Sequence, residues 1–175
     1  LATNVGTMAF LQRDMETFNA SLVKHYNLIR QQSDDELVAT ASLIVGVVKT
    51  IIHEHEDAEI VLQISLDRYK RIGLTSGISF AMSALGRNAV YNGHKLDIAK
   101  RYYSESMEIA KQDGNAISVI ICLAGFALCE VMAKNSDAKN YLRESIQLSQ
   151  QIHFYEALAW SMEIWALVSI NEGKY

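Results

Sequence analysis

The stretch SALGRNAVYNG, residues 83–93, reads as helix apart from one residue, Gly86, which sits among Leu85, Ala89, Val90 and Tyr91. A mid-helix glycine costs about 1 kcal/mol relative to alanine, so a glycine kept there implies that something approaches the backbone closely. Recurrence is the test, and this glycine recurs. Gly6, Gly46, Gly86 and Gly125 are spaced by 40, 40 and 39 residues. A second marked position follows each after 12 or 13 residues, at Phe18, Ala58, Ala99 and Ala138, and a third lies seven further on, at His25, Ser65, Ser106 and Ser145. A fifth copy begins at YEALAWSMEIWALVSINEG, residues 155–173, where Gly173 matches Gly93 and places Ala166 in the glycine position.

Each unit of about 40 residues reads as two helices, the first carrying the glycine and the second the alanine and serine. Turn residues fall between them: Asn92-Gly93, Asn135-Ser136 and HEHED at 53–57 within units, and Ser33-Asp34, Gly73 and Asp113-Gly114 between units. The helices expected are 2–12, 15–31, 35–53, 57–72, 76–92, 96–112, 116–134, 137–152 and 155–171. SDDE at 33–36 has the form of a capping box, with Ser33 accepting from the amide of Glu36. Small residues on paired helices let backbones approach, so Gly86 is expected to face Ala99 and Gly125 to face Ala138, with Tyr103 and Leu142 in adjoining layers. A lone hairpin cannot bury its apolar face, whereas stacked hairpins share a continuous core. The expected fold is an all-α, right-handed solenoid of about four and a half hairpins. It forms a single repeat domain over 1–175, with repeats 1–33, 34–74, 75–114, 115–154 and a partial 155–175. The chain starts at Leu1 and stops just after the turn-like Asn171-Glu172-Gly173, so it is expected to be a fragment of a larger protein.

Composition agrees with helices. Of 175 residues half are hydrophobic and 21% charged, and there is no proline, which sheets and loop-rich folds use in their turns. The net charge of −4 argues against a nucleic-acid face, which shows as a basic excess. AISVIICLAGFALC, residues 116–129, is the most apolar run but is shorter than the roughly 20 residues of a membrane span. The N-terminal residues lack a basic segment followed by an apolar run, so no signal peptide is read there. Cys122 and Cys129 stand seven apart on one helix, out of disulfide reach, and fit a reduced, cytoplasmic protein.

The spacing resembles the tetratricopeptide repeat: leucine-glycine on the first helix, then alanine, a large residue and a second small residue on the second. Leu85-Gly86, Ala99, Tyr103 and Ser106 match, as do Ala124-Gly125, Ala138, Leu142 and Ser145. Val45-Gly46, Ala58, Leu62 and Ser65 match more loosely, and Gly6, Phe18, Leu22 and His25 are degenerate. The likeness covers nearly the whole chain but lacks the closing proline, and the period is about 40 rather than 34. Long repeats with Glu105-Ser106-Met107 and Glu144-Ser145-Ile146 are similar to those of large bacterial signal-responsive transcription activators and ATPases. They are also similar to repeats in cytoskeletal and polarity adaptors. The resemblance implies a non-enzymatic protein–protein interaction scaffold in a regulatory or signalling protein.

Residues that could carry chemistry are few. In HEHED, His53 and Asp57 are four apart and could meet on one helical face, but the same slots in other units, NGHKLD and KNSD, are solvated turns. Ser65, Ser106 and Ser145 recur at a small packing position, whereas a nucleophile needs one serine beside a base. The two cysteines lie on an apolar stripe and read as packing residues, and His94 and His153 lie at hairpin ends. No catalytic constellation, metal set or phosphate-binding loop is read, and no cofactor is expected.

What remains is surface. In a stacked hairpin solenoid the first helices line a groove. Positions around each glycine give Thr40, Leu43, Val47, Thr50 and Ile51, then Phe80, Ser83, Arg87, Val90 and Tyr91. They continue with Val119, Cys122, Phe126, Cys129 and Glu130, then Trp160, Glu163 and Leu167. The expected partner is an apolar or amphipathic peptide or helix along Phe80, Tyr91, Phe126 and Trp160, without nucleic acid or membrane. Family members that clamp acidic tails place asparagine after the glycine; here Val47, Arg87 and Phe126 stand there, so that activity is not implied. Two other readings stay open. A second copy of the chain or further helices could cover the strip, or Arg87 and Glu130 in an apolar cavity could bind a small molecule that controls an effector domain.

Overall fold

The computed structural model describes residues 15–93 and 95–173, and these are helical apart from short connections. Gly6, the helix expected over 2–12 and His94 lie outside the described residues. The helices are α1 (Met15–Ile29), α2 (Asp35–Ile51), α3 (His55–Ile72), α4 (Thr75–Tyr91), α5 (Leu96–Gln112), α6 (Ala116–Met132), α7 (Ala138–Gln151) and α8 (Tyr155–Asn171). The boundaries of the eight helices expected from 15–31 to 155–171 all lie within two residues of these. None of these helices is long and apolar enough to cross a membrane.

The chain divides into two compact units between Leu74 and Thr75, where the second and third expected repeats meet. In the first, α1 packs on α2 and α2 pairs with α3. Tyr26 of α1, Val45 of α2 and Val61 of α3 share one core. In the second, α4 pairs with α5 and α6 with α7, while α6 also packs on α4, α5 and α8. A single core runs from Val90 and Tyr103 through Cys122, Leu128 and Leu142 to Ile164 and Val168.

The connections repeat one device. Gly73 closes α3 in the left-handed region, its amide bonding to Lys70 O (3.2 Å) and that of Leu74 to Tyr69 O (3.1 Å), the double closure that glycine favours. His53, Lys134 and His153 adopt the same left-handed conformation without being glycine. The amide after each bonds five residues back: Glu54 to Lys49 O (2.9 Å), Asn135 to Glu130 O (2.8 Å), Phe154 to Ser149 O (2.9 Å). Two local expectations change. The N-cap of α2 is Asp34, accepting from the Leu37 amide at 3.0 Å, and not Ser33, because the helix begins at Asp35. His53 precedes α3 in the left-handed region, so it shares no helical face with Asp57; its ring stands edge-on to His55, centroids 5.6 Å apart.

Candidate functional site

The glycines make room for a side chain, not for a facing alanine. At Gly86 a Cβ would lie 3.0 Å from Cζ of Tyr103, and at Gly125 it would overlap the same ring. In the first unit a Cβ at Gly46 would overlap Leu62. Tyr103, projecting from α5 between α4 and α6, thus occupies space that two glycines leave open, and it is fully buried. Ala58, Ala99 and Ala138 are buried as small-residue positions should be. In the last hairpin the register differs from expectation. Ala166 is exposed, while Ile164, two residues earlier and 39 after Gly125, is buried. Gly173 marks the turn correctly, but the inward face of α8 is set by Ala157, Ser161, Ile164 and Val168.

The recurring serines are polar cross-links between paired helices, a role the spacing alone did not reveal. Ser65 donates to Ala39 O (2.8 Å), Ser106 to Ser79 O (2.8 Å) and Ser145 to Ile120 O (3.3 Å). Around Ser106 the hydroxyls of Ser79 (2.8 Å) and Ser83 (2.9 Å) gather, and the Cys122 thiol donates to its Oγ at 3.2 Å. Ser145 likewise meets Ser161 of α8 at 2.9 Å. Burial raises both thiols above the usual range, Cys129 to about 11, so these cysteines stay protonated and weakly nucleophilic.

The expected groove residues divide sharply. Thr50, Ser83, Val90, Cys122, Cys129 and Glu130 are buried and present no surface to a ligand in this structure. Neighbouring helices pack tightly enough to absorb them. Leu43 and Val47, in the first unit, are half-buried, as are Phe80, Arg87, Phe126 and Trp160 in the second, while Tyr91 is exposed. Glu130 is not available for a small molecule: Lys100 of α5 pairs with it at 2.7 Å and Asn135 donates to it at 2.8 Å. That hydrogen bond also holds Lys100 above its ordinary value.

The second unit does bring several of the remaining residues together. The Arg87 guanidinium lies over the Trp160 ring, 5.6 Å from its centroid. Phe126 stacks on Tyr141 (5.4 Å) and tilts against Tyr103 (5.8 Å). Arg87 is distinctive among the described cations. The other lysines and arginines that are not exposed all have carboxylate partners: Lys49 with Glu54 and Asp57, Arg68 with Asp35, Lys100 with Glu130, Lys139 with Glu172. Arg87 has none among the described residues. Beside it, the Tyr103 hydroxyl is buried without a hydrogen-bond partner; burial drives its pKa well above the usual phenol value, and the Arg87 charge opposes that only in part.

Elsewhere the acidic side chains of HEHED are already engaged, since Glu54 and Asp57 hold Lys49. A half-open cleft of about 330 Å³ lies between Val131 and Val168, rimmed by Lys134, Asn135 and Glu172, apart from the expected groove. No protein-family model and no curated protein matches the chain.

Proposed function

We propose that this protein is a non-enzymatic interaction scaffold of tetratricopeptide-like hairpins. It would serve in the cytoplasm as part of a regulatory or signalling protein of bacterial type. On this reading its second unit binds an apolar peptide that carries a carboxylate. The carrying observation is Arg87, a half-buried guanidinium stacked on Trp160 with no carboxylate partner among the described residues. Stacking on an aromatic face orients the planar group while leaving edge N–H donors for a bidentate acid. Tyr91, Phe126 and Trp160 supply apolar contact around that charge, the mix of greasy walls and few polar groups that binding sites use. The buried serines and the high-pKa thiols support a scaffold over a catalyst, because neither is set beside a base.

Selection from a random phage-displayed peptide library against the full chain tests this. Enriched peptides should pair an aromatic or aliphatic residue with an acidic side chain, and Arg87→Ala should cost about tenfold or more in affinity, as for a lost charge-assisted pair. Enrichment blind to acidic residues, or unchanged by Arg87→Ala in a protein of unaltered helicity, would overturn the assignment. A small carboxylic acid would meet the same guanidinium. A melting shift that grows with a metabolite's concentration and vanishes in Arg87→Ala would assign the site to that class instead.

A further inference from the structure

The Tyr103 hydroxyl is a buried donor without an acceptor. Its oxygen has no hydrogen-bond partner among the described residues, although the side chain is fully buried. Buried polar groups are normally paired, and one left unpaired weakens the fold. Phenylalanine would fill the same space without that penalty, so the oxygen needs a reason outside the free fold. Its position supplies one. The ring enters from α5, and its hydroxyl-bearing end lies against Gly86 of α4 and Gly125 of α6; Cζ is the atom nearest to a Cβ added at Gly86. The residues that follow these glycines are Arg87 and Phe126, and the Phe126 ring tilts against that of Tyr103, 5.8 Å between centroids. Around the phenol, Cys122 and Cys129 are buried, Arg87 and Phe126 are half-buried and Tyr91 is exposed. The side of the hydroxyl nearest to solvent is therefore the one where Arg87 stacks on Trp160.

The two donors suit one acceptor. A guanidinium held flat on an indole presents edge N–H groups, and the phenol adds an O–H; hydrogen bonds from such donors to a carboxylate are the strong ones. Charge nearby limits how many acids a ligand can carry. Glu156 and Glu163 stand exposed a turn before and a turn after Trp160, and among the described residues neither pairs with Arg87. They repel further acidic groups. We infer that Tyr103 is a specificity-determining residue of the Arg87 site: its hydroxyl donates to the carboxylate that Arg87 holds, and the preferred ligand is an apolar peptide with a single acidic residue. The inference rests on the acid-binding reading of Arg87. The hydroxyl is closed to solvent in this structure, so the half-buried Arg87 and Phe126 side chains move aside as the acid enters.

An array of octapeptides tests it: one aspartate among leucine, valine, phenylalanine and alanine, the same sequences with asparagine for aspartate, and versions with three aspartates. The full chain should bind the single-aspartate peptides best. For the tightest of them, Tyr103→Phe should lower affinity about tenfold and narrow the preference for aspartate over asparagine. The urea midpoint of the free Tyr103→Phe protein should stay equal or rise, which a structural role for the hydroxyl would not allow. Arg87→Ala/Tyr103→Phe should lose less than the product of the two single losses, because both donors serve one group. Binding that Arg87→Ala weakens and Tyr103→Phe leaves unchanged would overturn the role of Tyr103 alone, and so would a lowered urea midpoint. Tighter binding of the three-aspartate peptides would overturn the limit to one acid. Absence of any preference for aspartate, or one that survives Arg87→Ala, would overturn the acid-binding reading of Arg87 and this inference with it.

Discussion

The ring of Tyr103 fills the space that a Cβ on Gly125 would need. The relation is stricter than the one at Gly86, where the nearest ring atom would stand 3.0 Å from an added Cβ and a small shift suffices. Overpacking costs about 1–3 kcal/mol, while replacing a helical glycine by alanine gains up to about 1 kcal/mol. Gly125→Ala should therefore destabilise by about 1–2 kcal/mol, and Gly86→Ala should lie near zero. Gly86→Leu should be clearly destabilising. Urea melts decide the order, and a Gly125→Ala protein more stable than the parent would refute this packing. Combining Gly125→Ala with Tyr103→Leu should cost less than the sum of the two changes, since the smaller side chain vacates the contested space.

The buried titrating groups of the second unit set an alkaline limit. Cys129 is pushed up from 9.0 to about 11 by burial, and the Tyr103 phenol is raised well above 10.0 by the same cause. As pH rises through the ordinary thiol range, the unfolded chain loses these protons while the folded chain keeps them, so stability must fall. It is fully present below about pH 9 and declines between 9 and 11, at no more than about 1.4 kcal/mol per pH unit for each group. Melts between pH 8.5 and 10 should show the decline, and Cys129→Ala should make it shallower whatever its own cost in packing. A slope that Cys129→Ala leaves intact would assign the effect to other groups.

Much of this architecture was legible because two signals repeat: glycine every 40 residues and turn residues at each hairpin end. Even the turns that lack glycine, at His53, Lys134 and His153, could be placed by the period, although nothing local marks those residues as left-handed. What the sequence hid is which partner each small residue serves. Gly86 and Ala99 are at matching slots, yet a tyrosine ring enters where a backbone was expected, because Tyr103 reaches across from the second helix. Of the candidate site, Arg87, Tyr91, Phe126 and Trp160 kept some surface. Cys122, Cys129 and Glu130 lost theirs to neighbouring helices, and no spacing rule reports how deeply a helix is embedded. The pairing of Glu130 with Lys100 joins residues 30 apart and could not be read from local pattern.

The hydroxyl cluster at Ser106 makes a third case. Its hydroxyl donates to Ser79 O and meets Ser83 and Cys122, all buried. Removing one member of a buried network leaves the others short of a partner, at about 1–3 kcal/mol. Ser106→Ala should therefore cost that much despite being nearly isosteric, and Ser104→Ala, on the exposed face of the same helix, should change stability by less than about 0.5 kcal/mol. Equal, negligible effects would return Ser106 to a merely small residue.

Helix α8 provides the sharpest test of register. Counting back from Gly173 places Ala166 inside, whereas the structure buries Ile164 at 1% exposure and leaves Ala166 in solvent. Ile164 belongs to the same core as Leu142, and a branched side chain there takes the position that glycine holds on α6, where the larger Tyr103 presses in. Ile164→Ala opens a cavity and should cost about 2–5 kcal/mol. Ala166→Leu adds bulk in open solvent on a residue with good helix propensity, and should lie within about 0.5 kcal/mol of the parent. The opposite register predicts the reverse pattern, with Ala166→Leu overpacked and Ile164→Ala harmless. Thermal melts of these two single variants separate the registers without a ligand or a partner.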